Sequence, residues 1–299
     1  MRCDRRAIVS MPEASIAKLL TQPTSGERAR QRVNWVMRIL VGVAAFLAIL
    51  PLIALIVFVL LKAIPFLVPA FFLNNPLDTE PGILNAIVGS LQLSGLTVLI
   101  SAPIGIAGGV YLSEFAPPRV VAIGETAIDV MLGVPSIVAG VFAYLILVPV
   151  LGFSGWAAVV ALSILTLPIM MRSTQEVLRL VPQAIREASL ALGVPVWKTA
   201  LFVSVRTALP GILTGVILAF SRAIGETAPL LMTARGTNAE NWLDFSTTMN
   251  AMPIVIYQYS NAASDLLIGQ AWATALVLMV LALTINMLVR GRTVNSRTA

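Results

Sequence analysis

The sequence contains no histidine among its 299 residues. That excludes His-based catalytic triads, two-His metalloprotease sites and most zinc sites. It has one cysteine, Cys3, which excludes an intrachain disulfide and a thiolate metal cluster. Charge is scarce, at 11% of residues against about 25% in an ordinary soluble domain. No Gly-x-x-x-x-Gly-Lys-Ser/Thr loop occurs, so the chain has no recognisable phosphate cradle for ATP. No segment alternates polar and apolar residues in short blocks, which argues against a membrane barrel. No internal repeat is visible either, so the sequence signal of an inverted-repeat secondary transporter is missing.

What the sequence does have is apolar surface. It is 58% hydrophobic, with a mean hydropathy of +0.91. A chain this poor in charge cannot cover a water-facing surface of its size, which excludes both a soluble globular protein and a disordered one. A spanning helix needs roughly 20 predominantly apolar residues. Charge-free or nearly charge-free runs of that length fall at 39–61, 81–113, 130–171, 207–234 and 266–289. The first residues of the second run are expected to be loop. The third is long enough for two spans, divided at the turn residues Gly152, Phe153, Ser154 and Gly155. The expected fold is therefore an all-α integral membrane protein with six transmembrane helices. The N-terminus does not read as a removable signal peptide, because the apolar stretch after the Arg-rich start is too long.

Lys and Arg set the orientation. With alternate loops on alternate sides, one face carries 17 basic residues and the other only Lys62 and Arg235. Both termini are expected in the cytoplasm. The net charge of +6 thus reports topology. The basic tail has no aromatic residue before Trp35 and no nucleic-acid motif, so no nucleic-acid partner is expected. Residues 1–34 are read as a basic, flexible cytoplasmic tail, and 35–299 as the transmembrane domain.

Two places break the apolar monotony. The first is the cytoplasmic loop 172–208. Val177, Leu178, Val181, Ile185, Ala188 and Leu192 recur at three- and four-residue steps. Gly193 breaks the helix, and Pro195 suits the first turn of another. This predicts a helix–turn–helix with an apolar face open to a partner. The second place is the fifth span, where Arg222 and Glu226 are the only mid-span charges. In a continuous helix they would share one face, about 6 Å apart along the axis. A lone Arg at the bilayer centre costs about 2.5–3.5 kcal/mol on insertion scales. Intramembrane ionisable residues mark function by default. Ser221 and Thr227 add polar groups beside them, and Pro229 interrupts the ladder just beyond.

Both places carry a resemblance. The run Glu187-Ala188-Ser189-Leu190-Ala191-Leu192-Gly193 resembles the coupling loop of ABC importer permeases, with Ser189 where the family has alanine. The run from Arg222 through Leu231 resembles the corresponding span of the phosphate-importer permeases. The resemblance covers about residues 83–291. It implies a type I ABC importer permease fold in a bacterial cytoplasmic membrane. It also implies that Glu187, Ala188, Ser189 and Gly193 belong to a coupling helix seated on an ATP-binding subunit. The chain itself would hold no cofactor; ATP and Mg would sit in that partner, present in two copies. A second, related permease subunit and an extracytoplasmic phosphate-binding protein would complete the assembly, with lipid around it.

Arg offers a planar fork of donors suited to a tetrahedral oxyanion, whereas an ionised Glu only accepts. The expectation is that Arg222 attracts the anion and Glu226 favours one that still carries a proton, as phosphate does and sulfate at neutral pH does not. The outer loops, with a balance of −3, will not collect free anion, which fits delivery by a binding protein. The loop 234–265, with Trp242, Tyr257 and Tyr259, is the larger outer docking candidate. The competing readings are a molybdate or sulfate permease, an ATP-independent transporter or channel, and, remotely, an intramembrane enzyme.

The lone cysteine gives a direct test of orientation. A membrane-impermeant maleimide should label Cys3 in inside-out vesicles and leave it unlabelled in intact spheroplasts; labelling from outside would reverse the topology.

Overall fold

The structure is a computed structural model describing residues 25–238 and 243–295, with side chains described over 30–238 and 243–287. Every regular element among the described residues is helical, and the only β contact there is an isolated bridge between Arg235 and Met249. The helices are α1 (Ser25–Ala63), α2 (Pro69–Leu73), α3 (Leu84–Val110), α4 (Pro118–Gly133), α5 (Ser136–Leu151) and α6 (Gly155–Arg179). They continue with α7 (Gln183–Ala191), α8 (Val205–Gly225), α9 (Ala228–Thr233), α10 (Met252–Ser260) and α11 (Asp265–Asn295). Five of the spans are long and apolar enough to cross a membrane: Arg30–Phe66, Leu84–Phe115, Gly155–Arg179, Val196–Gly225 and Asp265–Met287. The sixth is α4 with α5, a pair bent by 97° at Val134 and Pro135.

That bend corrects the expectation of a straight third span beginning near residue 130. Pro135 has no N–H to continue the ladder and disfavours the helical region for Val134 before it. Val134 is accordingly extended, with ψ of 125°. The turn expected at 152–155 does fall there. Gly152 takes φ of +68°, which favours glycine. Ser154 caps α6 by accepting from Ala157 N at 3.3 Å.

The chain divides into two compact units, 1–58 and 59–299. In the first, the described helix is apolar almost all round, with exposed Val41, Phe46, Leu50 and Leu55, as suits a helix facing lipid. The second unit holds three buried clusters. One gathers Phe71, Ile83, Ile224, Met252 and Val255. Another gathers Leu93, Val159, Leu162, Leu230 and Ile254. The third, toward the cytoplasmic end, gathers Val110, Leu178, Val181, Ala208 and Ile212.

Lipid tails are as apolar as leucine, so helices in a membrane associate through close packing and hydrogen bonds. Helix α3 lies along α6 on this principle. A Cβ on Gly105 would sit 2.6 Å from that of Met170, and one on Gly109 would sit 2.7 Å from Met171 O and Thr174 Cβ. The polar residues of α3 have local work. Asn85 donates to Thr237 O at 3.0 Å, Ser90 accepts from Met252 N at 2.7 Å, and Thr97 bonds Leu93 O. The outer loop is accordingly less of a surface than its sequence suggests. Met252 through Val255 are buried, Tyr259 packs against the first cluster, and Tyr257 is exposed. Trp242 lies outside the described residues.

Gly109→Ala should lower the thermal unfolding midpoint in detergent, by an overpacking cost of about 1–3 kcal/mol. Gly95→Ala on the same helix meets nothing within 4 Å and should hold or raise it, since alanine favours the helix by about 0.5–1 kcal/mol. Equal shifts for both would contradict the packing account.

Candidate functional site

The structure does not place Arg222 and Glu226 on one continuous helix. Helix α8 starts at Val205, four residues earlier than a start near Leu209 would have it, and it ends at Gly225. Glu226 is extended, with φ of −74° and ψ of 128°. Thr227 precedes the short helix α9, whose first turn contains Pro229. The break falls at the charged pair itself rather than beyond it. The pair nevertheless holds, with Arg222 Nε 3.2 Å from Glu226 Oε1. Arg222 lies in the last turn of α8, where its charge also offsets the negative end of the helix dipole.

The burial of the two partners is unequal. The Glu226 side chain is 12% exposed and that of Arg222 is 54%. The carboxylate is thus seated in the protein, and the guanidinium extends from it. Among the described residues Arg222 pairs through Nε alone, and neither terminal NH2 group has an ion-pair or hydrogen-bond partner there. Ser221, one position before, donates to Asn286 Oδ1 of α11 at 3.2 Å, so its hydroxyl is engaged in tying α8 to α11. Thr227 is half-buried at the break, and its carbonyl accepts from Leu231 N at 3.0 Å.

The surroundings clamp the break from both sides. Ala223 and Ile224 before it are buried, as are Pro229 and Leu230 after it. On the α5 side the approach is close, since a Cβ on Gly140 would meet Pro229 Cα at 3.0 Å and Ala228 O at 3.2 Å. Gly140 is the fifth residue of α5, so the two broken segments of the fold, α4–α5 and α8–α9, meet here.

The cytoplasmic element is shorter than its sequence suggested. Residues through Arg179 belong to α6, and α7 spans only Gln183–Ala191. Leu178 and Val181 are buried in the chain's own third cluster, and Val177 packs on it, so they are not part of an open face. The apolar residues left exposed here include Ile185, Leu190, Leu192, Val196, Trp197 and Phe202. Glu187 and Ala188 point outward with them. Gly193 ends the helix at φ of +78°, and Pro195 sits at the N-cap of the following turn rather than inside it. Ser189 is buried, and its hydroxyl lies 2.9 Å from that of Thr199. The serine therefore closes the helix–turn–helix through a hydrogen bond that alanine could not make.

Several anchoring residues are missed by the sequence reading. Arg186 pairs with Glu114 at 2.7 Å. Glu125 of α4 pairs with Arg179 and accepts from Gln175 Nε2 at 2.9 Å. Asp129, for which the sequence suggested no role, lies 3.6 Å from Arg172. These acids enter a sequence reading only as charge on the cytoplasmic side, because partners more than 40 residues away leave no local signal. Among the described residues no group of three or more Cys, Asp or Glu side chains could hold a metal ion.

Comparison with known proteins accords with this arrangement. Residues 105–291 match the family described as binding-protein-dependent transport system inner membrane component. The phosphate transport system permease protein PstA of Haemophilus influenzae is 39% identical over 77% of this chain and 82% of its own length. PstA of Pasteurella multocida is 38% identical over 87% of this chain and 94% of its own. PstA 1 of Mycobacterium tuberculosis is 37% identical over 69% of this chain. Among solved structures, an inward-facing MetNI methionine ABC transporter chain superposes with a TM-score of 0.55. That match covers 70% of this chain and 95% of the other at 17% identity, a likeness of fold. With the helical architecture, the broken fifth span and the cytoplasmic helix–turn–helix, these matches place the chain in the family of binding-protein-dependent transport inner membrane components, among the PstA permeases.

Proposed function

We propose that this chain forms half of the translocation path for inorganic phosphate in an ATP-driven importer, with Arg222 and Glu226 as the residues that meet the anion. The observation that carries the reading is the geometry of the pair. Nε of Arg222 is held by a seated carboxylate, and the two terminal NH2 groups present a planar fork to an oxyanion. Glu226 has a second oxygen that can accept from the proton of a hydrogen phosphate, and it repels an anion without one. Ser221 and Thr227 line the path beside them. The PstA relatives, named for phosphate transport, favour the same substrate.

Energy has to come from another chain. Moving an anion into a negative interior costs about 2.3 kcal/mol per charge per 100 mV. The sequence carries no nucleotide-binding loop. As a multi-pass inner-membrane permease, the chain works with an ATPase and a binding protein. Two copies of the ATPase, with α7 and its exposed Glu187 and Ala188 seated on one of them, fit the single coupling element of this chain. A second, related permease would complete the path, and a phosphate-loaded binding protein would dock on the outer face. The acidic outer loops fit that delivery.

The test is uptake of labelled phosphate by the reconstituted importer, with sulfate as competitor. Glu226→Gln should lose phosphate uptake or admit sulfate competition. Arg222→Lys keeps the charge but not the fork, and should reduce uptake about tenfold or more. Native uptake and native phosphate-over-sulfate preference in both variants would refute the assignment.

A further inference from the structure

The guanidinium of Arg186 uses three nitrogens at once. Nη2 bonds Glu114 Oε1 at 2.7 Å and Leu178 O at 2.8 Å. Nη1 bonds Val181 O at 3.2 Å, and Nε bonds Ser204 Oγ at 3.3 Å. Ser204 in turn donates to Glu114 Oε2 at 3.4 Å. The Glu114 side chain is 8% exposed and that of Arg186 is 24%. A single side chain of α7 therefore gathers the end of α3, the end of α6 and the entry to α8. Leu178 O, in the last turn of α6, also accepts from Val181 N at 3.1 Å, and Val181 O belongs to the short link between α6 and α7.

Glu114 and Ser204 share an unusual backbone setting. Glu114 lies in a π-helical turn, Tyr111–Phe115, that extends α3, and Ser204 closes another, Thr199–Ser204, that leads into α8. Single π turns are rare and fall frequently at functional positions. They also leave the helix ladder locally wider. Directly after Ser204, helix α8 runs from Val205 to Gly225 with Pro210 in its second turn, and Arg222 stands 18 residues beyond Ser204, about 27 Å at 1.5 Å per residue. Beside the joint, a groove of about 590 Å³ runs along α6 and α8, with Ser173, Val177, Pro210 and Gly211 in its lining, while the helices stay in close contact at Gly211, where a Cβ would run into Val177 Cγ1.

We infer that the Arg186–Glu114–Ser204 cluster is the joint that passes displacement of α7 to α3 and α8, and through α8 to the broken segment at Arg222. Arg186 is a positioning residue in this role, acting through Glu114 and Ser204 and touching no substrate. The inference rests on the chain being an ATP-coupled permease. It does not depend on which anion is carried.

The test reads motion driven by nucleotide, with no transported substrate required. Gly225 at the break is exposed and a Cβ there meets nothing within 4 Å, so Gly225→Cys in a Cys3→Ser background is a reporter. In the whole importer, purified with its ATPase and partner permease, a nonhydrolysable ATP analogue should change the maleimide labelling rate at position 225. Glu114→Gln and Arg186→Lys should shrink that change about tenfold, the size of coupling through networks of this kind. ATPase co-purification and basal hydrolysis should stay native. A response within about twofold of native in both conservative variants, or its loss together with loss of the ATPase subunits in both, would overturn the joint. Loss of phosphate selectivity alone would bear on the substrate and leave the joint standing.

Discussion

In hydrocarbon there is no water to take up a backbone N–H or C=O, so a chain can leave the helix at membrane depth only where protein covers it. This constraint organises the molecule. It has two breaks within apolar stretches, at Val134–Pro135 and at Gly225–Thr227. The structure brings their elements together, with Gly140 of α5 against Ala228 and Pro229 of α9. Each broken segment supplies part of the cover that the other needs. The buried flanks of the second break, Ile224 and Leu230, belong to two different apolar clusters. The irregular backbone that carries Glu226 is therefore held from both ends.

A charged pair at such a break differs from one on a continuous helix. On a regular helix, the i and i+4 side chains neutralise each other over the same turn. Here the helix stops between them, and Glu226 is drawn into the protein while Arg222 stays half exposed. The acid then holds the Nε edge of the guanidinium. That asymmetry, a seated carboxylate beside a half-exposed guanidinium, is what the proposed anion-binding role rests on.

The same logic of sparse polar contacts governs the cytoplasmic end. Packing between α3, α6 and α8 is done by small residues, with Gly105, Gly109 and Gly211 allowing close approach. Such seams resist nothing specific in register. Direction comes from the few polar ties: Glu125 with Arg179 and Gln175, Asp129 with Arg172, and Arg186 with Glu114 and two carbonyls. The first two tie α4 to α6, and the last anchors α7, whose apolar residues Ile185 and Leu190 remain exposed. In the proposed joint, movement imposed on α7 would enter the membrane helices through the Arg186–Glu114 pair.

Much was legible from the residues alone. Spans of about 20 apolar residues can only be membrane helices, because composition and length decide that without neighbours. Lys and Arg counts decide orientation for the same reason. Gly193 and Gly152 announced their turns through a conformation that favours glycine. Arg222 and Glu226 stood out because charge in hydrocarbon is costly wherever it sits. Other features depended on what lies across the fold. The helix break at Gly225, the 97° bend at Pro135, the burial of Met252–Val255 in a stretch that reads as loop, and the role of Ser189 with Thr199 were decided there. So was the meeting of Arg186 with Glu114, 72 residues apart. Local sequence specifies what a segment costs in water or lipid. Which backbone groups find cover, and which charge finds its partner, depends on distant segments that only tertiary packing brings within reach.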